Sequence, residues 1–182
     1  MTKPTIYISR KIPEYLVKPY EEQFHFIMWP EETTPIPKEV LYEEVKKVDG
    51  LICLITEKID RPFLEHASHL KIIANMAVGY DNIDVEAAKQ QNIIITNTPD
   101  VLTETTADLT FALLMATARR LVEASNCIYE NRWKEWSPFW LAGTDVHHQT
   151  IGIVGMGRIG EAVARRAKGF NMEIIYHNRN RK

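Results

Sequence analysis

Gly155, Gly157 and Gly160 stand in the spacing G-x-G-x-x-G, inside the stretch TIGIVGMGRIG that runs from Thr150 to Gly160. Glycines so spaced can cradle a pyrophosphate. Gly155 permits the tight turn, Gly157 lets backbone approach the phosphates, and Gly160 lets the following helix pack closely on the strand before it. Free N–H groups and the positive dipole end at the start of that helix would face the negative charge, which brings Arg158 and Ile159 into the candidate dinucleotide-binding set. The setting favours this over a plain strand-to-helix turn. Ile151, Ile153 and Val154 form a β-branched run suited to a buried parallel strand, Glu161 to Lys168 reads as a helix, and Glu173 to His177 as a second strand.

The residues after that second strand bear on which dinucleotide is bound. NAD-selective sites usually place an Asp or Glu about 20 residues past the glycine turn, where it holds the ribose 2′-hydroxyl. Here the stretch is His177-Asn178-Arg179-Asn180-Arg181-Lys182, without an acid. A carboxylate would repel a 2′-phosphate, whereas Arg179 can grip one with a two-pronged contact and Arg181 adds charge. The sequence therefore predicts NADP(H) in preference to NAD(H), with Asn178, Arg179 and Asn180 among the cofactor contacts. The competing view is a basic chain end in solvent.

The elements that must position these residues come earlier in the chain. Thr5 to Ser9 reads as a strand, Tyr15 to Gln23 as a helix entered after Pro13, and Phe24 to Trp29 as a second strand. Pro30 to Pro37 is punctuated by prolines and reads as a loop. Lys38 to Lys47 is an amphipathic helix with Val40, Leu41 and Val45 on its apolar side. Gly50 to Ile55 is a continuous apolar strand. Arg61 to Ser68 then reads as helix, Ile72 to Met76 as strand, Val85 to Gln91 as helix and Ile93 to Thr96 as strand. Such alternation is the signature of a parallel sheet covered on both faces. The unit closes near Thr98-Pro99.

Beyond Pro99, Thr103 to Arg120 is a long helix rich in Ala, Leu, Met and Phe around most of its circumference, as expected of a helix between two layers. Leu121 to Asn131 continues helical. Trp133, Trp136 and Trp140 follow within eight residues, three of the four tryptophans in the chain. Two readings stand: an aromatic cluster packing its own loop, or a subunit interface, where Trp buries a large area at small rotamer cost.

Composition narrows the field. A chain of 182 residues that is 45% hydrophobic can bury a sizeable core in one or two domains. Its net charge of −2 gives no electrostatic footprint for nucleic acid. Cys53 and Cys127 lie in apolar segments and read as buried thiols in a reducing compartment, without disulfide or metal spacing. The start, MTKPTIYISR, lacks the apolar core of a signal peptide, and the most apolar stretch, Ala107 to Ala118, is too short to span a bilayer. No membrane partner and a cytoplasmic location are expected.

Taken together, the motifs resemble those of the D-isomer-specific 2-hydroxyacid dehydrogenases along nearly the whole chain. Val78-Gly79-Tyr80-Asp81-Asn82-Ile83-Asp84 looks like the family's substrate loop. The run from Thr98 to Asp108 matches the start of its interdomain helix, and Gly155 to Gly160 its cofactor turn. Leu51-Ile52-Cys53-Leu54 and the tryptophan stretch look most like the glyoxylate/hydroxypyruvate reductase branch.

The resemblance implies an α/β architecture: a flavodoxin-like substrate domain, residues 1–99, followed by the first part of a Rossmann dinucleotide-binding domain, residues 100–182. The substrate, a small 2-oxo or 2-hydroxy acid, would lie in the cleft between the two, its carboxylate received by backbone N–H groups around Val78 and Gly79. Glycine lets main chain approach an anion closely, and successive amides form a small nest. The chemistry implied is reversible hydride transfer, with an imidazole, its carboxylate partner and an arginine that lie, in the family, after the second strand of the cofactor domain. On that reading this chain is a truncated form holding no catalytic residue. His25, His66, His69, His147, His148 and His177 are read as structural or solvated. The resemblance also implies a homodimer in the full-length protein. Alternatives within reach are another member, such as a phosphoglycerate or formate dehydrogenase, or a non-catalytic dinucleotide-binding protein.

Overall fold

The computed structural model describes residues 2–182 and resolves into two compact units, the first ending at Asp100 and the second running from Val101 to Lys182. In the first, β1 (Thr5–Ile8), β2 (His25–Met28), β3 (Gly50–Cys53), β4 (Ile72–Asn75) and β5 (Ile94–Thr96) form a five-stranded sheet in the order β2-β1-β3-β4-β5. Every pairing is parallel, with Ile6 opposite both Phe26 and Gly50, and Leu51 opposite Ile73. This is the flavodoxin-like order, in which ligands gather beyond the carboxyl ends of the strands.

Helices α1 (Lys38–Glu44), α2 (Arg61–His66) and α3 (Val85–Gln90) accompany that sheet. Leu41, Val45, Phe63, Leu64, Ala87 and Ala88 are buried with Leu51, Cys53 and Ile73 in one core. Short helices need firm starts. The Asp60 carboxylate accepts the N–H of Phe63 at 3.1 Å, and Asp84 accepts that of Ala87 at 2.9 Å. Both are N-caps that satisfy otherwise orphaned donors.

Several local expectations are corrected. Tyr15 to Gln23 is not an α-helix but two short 3-10 turns, Glu14–Leu16 and Lys18–Tyr20. Pro19 sits in the second and has no N–H to give an i→i−4 bond. Val40 points outward on α1, leaving Leu41 and Val45 as the buried pair. Ile55 lies past the end of β3 in a turn and is exposed, because the chain bends back there around Glu57.

The second unit contains α4 (Thr103–Ala118), α5 (Leu121–Tyr129), β6 (Thr150–Val154), α6 (Arg158–Gly169) and β7 (Glu173–His177). β6 and β7 pair in parallel, Ile151 opposite Ile174 and Ile153 opposite Tyr176. α4 packs on α6, burying Ala107 and Phe111 with Ala162, Val163 and Ala167, and the Phe111 ring meets Phe170 at 4.9 Å. Glu104 and Asp108, one turn apart on α4, are clasped by Arg165 and Arg166 of α6; the Arg166 Nε donates to Asp108 at 2.7 Å.

This unit also departs from its local sequence pattern. α4 is covered along one stripe only, with Leu109 and Leu113 60% and 58% exposed, since within its unit the core it joins is built against α6. α4 and α5 are not continuous: Arg120 adopts φ 52°, the left-handed region that breaks a helix. α6 begins at Arg158, three residues ahead of the expected start, so Gly160 sits within its first turn. Val154 is exposed, not buried, at the end of a strand that has β7 on one side only among the described residues.

Candidate functional site

Two turns hold the residues singled out from sequence, one in each unit. In the first unit, the segment after β4 runs through Ala77, Val78 and Gly79 to Tyr80. Its three successive carbonyls all have partners. The Thr98 N–H donates to Ala77 at 2.9 Å, the Asn97 side-chain amide to Val78 at 2.9 Å, and the Asn75 side-chain amide to Gly79 at 2.8 Å. No backbone hydrogen bond from the N–H of Val78, Gly79 or Tyr80 is seen among the described residues. A β-carbon on Gly79 would have only the Asp81 carboxylate near it, at 4.0 Å. The turn thus offers main-chain donors in an open setting, as anion recognition requires.

Behind this turn lies a polar network at the carboxyl ends of β1, β3 and β4. Asn75, 1% exposed, also donates to the Asn82 side-chain oxygen at 3.3 Å. Asn82 in turn donates to the carbonyls of Leu54 at 3.2 Å and Glu57 at 3.0 Å. The buried Glu57 carboxylate accepts the Leu54 N–H and the Ser9 hydroxyl, each at 2.7 Å, and Thr56 donates to it at 2.6 Å. Arg10 stands 3.6 Å from it as counter-charge. Donors in this number offset the cost of taking a carboxylate out of water. Cys53 contributes a thiol 3.5 Å from the Asn75 oxygen; burial, and secondarily the Glu57 charge, pushes its pKa up to about 12.

In the second unit, Gly155 has φ +98°, the left-handed region open to glycine without strain. A β-carbon on Gly160 would stand 2.3 Å from the Gly155 carbonyl oxygen, an impossible approach. Gly157 caps α6 in an extended conformation, and a β-carbon there would meet nothing within 4 Å. Turn, close approach and open space are what a pyrophosphate on a helix N-terminus demands, so the residues present fit a dinucleotide. Ile159 and Gly160 lie in the first turn of α6, as does Arg158.

Asn178, Arg179, Asn180 and Arg181 are beyond β7, with Asn178 donating to the Asn180 carbonyl at 2.9 Å. This tail curls toward the start of α6: Lys182 pairs with Glu161 of its first turn at 3.1 Å.

Trp133 ties into its own loop, its indole N–H donating to the Glu135 carbonyl at 2.9 Å. Trp133, Trp136 and Phe139 are exposed, Trp136 at 77%. Trp133, Trp136 and Trp140 border an open cavity of about 360 Å³ together with Cys127 and Ile128. The paired rings of His147 and His148 are solvent-facing, and His177 meets the glycine turn through its backbone carbonyl, which accepts the Gly155 N–H at 2.8 Å.

Asn75, Asn82, Asn97 and Glu57 were not foreseen as site residues. Asn75 did carry a signal, a polar side chain closing the apolar strand Ile72–Asn75, which is costly unless it has hydrogen-bond partners. Glu57 carried none, since its burial depends on Ser9 and Arg10, far away in sequence.

A parallel flavodoxin-like sheet followed by a glycine-turn βαβ segment defines an α/β architecture whose second turn fits a dinucleotide. The chain matches the family model for the D-isomer specific 2-hydroxyacid dehydrogenase, catalytic domain, over residues 6–174, and it belongs to that family. It is 50% identical to the glyoxylate reductase of Pyrococcus horikoshii across 99% of this chain and 55% of that protein. With the glyoxylate reductase of Pyrococcus furiosus it shares 52% identity over 99% of this chain and 54% of the other. Among solved structures, the TT0316 protein from Thermus thermophilus superposes with a TM-score of 0.91 at 41% identity, covering 98% of this chain and 57% of that one. A glyoxylate reductase from Paecilomyes thermophila gives 0.81 at 29%, covering 100% and 57%. The chain spans about half the length of the curated relatives it matches. No helix among the described residues is long and apolar enough to cross a membrane.

Proposed function

We propose that this chain carries the substrate-recognising turn and the nucleotide-binding turn of an NAD(P)-dependent 2-hydroxyacid dehydrogenase that reduces small 2-oxo acids such as glyoxylate. The observation that carries the reading is the Gly155–Gly160 approach, which leaves no room for a side chain on the helix that faces the turn. In this assignment residues 1–99 recognise substrate and residues 100–182 hold the nucleotide. Amides around Val78 and Gly79 receive the substrate carboxylate. Gly155, Gly157, Arg158, Ile159 and Gly160 hold the pyrophosphate. When bound, the dinucleotide supplies the hydride for reduction of the 2-oxo carbon. No residue of this chain is assigned the accompanying proton transfer.

NADP(H) is the preferred cofactor in this reading. Support comes from the basic, acid-free segment 177–182 and its placement beside the first turn of α6. An exposed Trp133, Trp136 and Trp140 surface of this size supports a homodimer formed through the second unit. Two unpaired buried cysteines suit the reducing cytoplasm.

The test is glyoxylate-dependent oxidation of NADPH by the whole protein, with NADH as the comparison. Turnover with glyoxylate is expected, faster with NADPH at limiting cofactor. A folded protein that binds neither dinucleotide would overturn the assignment.

A further inference from the structure

We propose that Asn75 and Asn97 are positioning residues for substrate recognition, whose side-chain amides lock the Ala77–Tyr80 turn in the form that presents its N–H groups to an anion. The proposal rests on the reading of Val78–Gly79 as the carboxylate turn and adds the device that keeps it open.

The geometry follows from the planar trans peptide. The carbonyl of one residue and the N–H of the next point in opposite directions. Holding the Val78 carbonyl on Asn97 at 2.9 Å therefore turns the Gly79 N–H away from Asn97. Holding the Gly79 carbonyl on Asn75 at 2.8 Å likewise turns the Tyr80 N–H away from Asn75. Thr98 does the same for the Val78 N–H by holding Ala77. Glycine at position 79 makes its two flanking peptides easy to rotate. If the Val78–Gly79 peptide flipped, an oxygen would replace a donor and repel the carboxylate.

Asparagine suits both positions because its amide donates while staying uncharged, so neither holder adds a titrating group beside the anion. The Asn75 amide is itself oriented. Its oxygen lies 3.5 Å from the Cys53 thiol, which stays protonated and able to donate, while its nitrogen faces Gly79 and Asn82. Asn82 is fixed in turn by donating to Leu54 and Glu57, which leaves its oxygen to accept from Asn75. Donation thus runs from the Cys53 thiol to Asn75 and there divides, one branch to the Gly79 carbonyl and the other through Asn82 to the carbonyls of Leu54 and Glu57.

The test is a titration of the ¹⁵N-labelled chain with glycolate, followed at individual backbone amides, with uncharged glycolamide as control. Asn97→Ala and Asn97→Leu are the primary variants, since Asn97 is only half-buried and Leu keeps the size while losing the donor without adding charge. Asn75→Ala is the secondary one. Amides of Leu41 and Phe63 report whether the unit keeps its fold. In the parent chain, Gly79 and Tyr80 should shift saturably with glycolate and not with glycolamide. Both Asn97 variants should bind about fivefold to tenfold more weakly, the worth of roughly one hydrogen bond, with Leu41 and Phe63 unmoved. Variants that keep the fold and bind as the parent does would overturn the positioning role while leaving the carboxylate turn intact. A parent chain whose Gly79 and Tyr80 amides ignore glycolate would overturn the turn assignment and this proposal with it.

Discussion

The carbonyl oxygen of Gly155 and the α-carbon face of Gly160 approach so closely that a β-carbon on residue 160 would lie 2.3 Å from that oxygen. The contact is backbone, so no side-chain rotation relieves it. Gly160→Ala should push the first turn of α6 off the glycine turn. Overpacking of this kind costs about 1–3 kcal/mol. The loss is read in thermal unfolding followed by far-ultraviolet circular dichroism. The variant should melt earlier and bind NADPH more weakly. An unshifted transition would mean that α6 does not need this approach.

Arg179 decides the cofactor in this account. Arg179→Glu places a carboxylate where NAD-selective sites carry one and removes the contact to a 2′-phosphate. Affinity for NADPH should fall by roughly tenfold or more, the worth of a charge-assisted hydrogen bond, while NADH binding holds or improves. Equal losses for both dinucleotides, read by calorimetry, would assign Arg179 to the shared pyrophosphate instead.

The tryptophan surface should belong to a subunit contact. Trp136 is 77% exposed, so its removal deletes little internal packing. Replacing Trp136 by alanine should move the protein toward monomer in sedimentation velocity, without lowering its melting temperature at high dilution. An unchanged dimer would exclude this face.

Acid stability should depend on helix capping. The Phe63 N–H holds the Asp60 carboxyl below its usual 3.8, and Lys58 adds to this. A carboxylate whose pKa is depressed on folding contributes stability above its unfolded value, and that contribution is lost as pH falls through the folded one. At neutral pH, Asp60→Ala should cost about 1 kcal/mol, the usual worth of such a cap. The gap between variant and parent should narrow below pH 3.8 in urea melts. A pH-independent gap would assign the effect to packing alone.

Much of this fold is written in local pattern. Apolar runs such as Gly50 to Cys53 and Ile72 to Asn75 mark the parallel strands, and the glycine spacing marks the second turn. Local pattern fails where a distant partner or a single backbone residue decides. Pro19 reduces the expected helix from Tyr15 to Gln23 to 3-10 turns, and Arg120 splits one helix into two by its positive φ. Val40 and Leu41 are equally apolar, and only packing against the sheet separates the exposed one from the buried one. The support of the Val78–Gly79 turn is the clearest case. Its holders, Asn75 and Asn97, come together only because β4 and β5 are neighbours in register, Ala74 beside Thr96.

The most direct test of the central claim is a titration of the ¹⁵N-labelled chain with NADPH, followed at the amides of the second unit. Saturable shifts are predicted at Gly157, Ile159 and Gly160, extending to Asn178, Arg179 and Asn180, with the amides of α5 unmoved. Shifts confined to the basic tail, or none at all in a chain that keeps its dispersed spectrum, would contradict it.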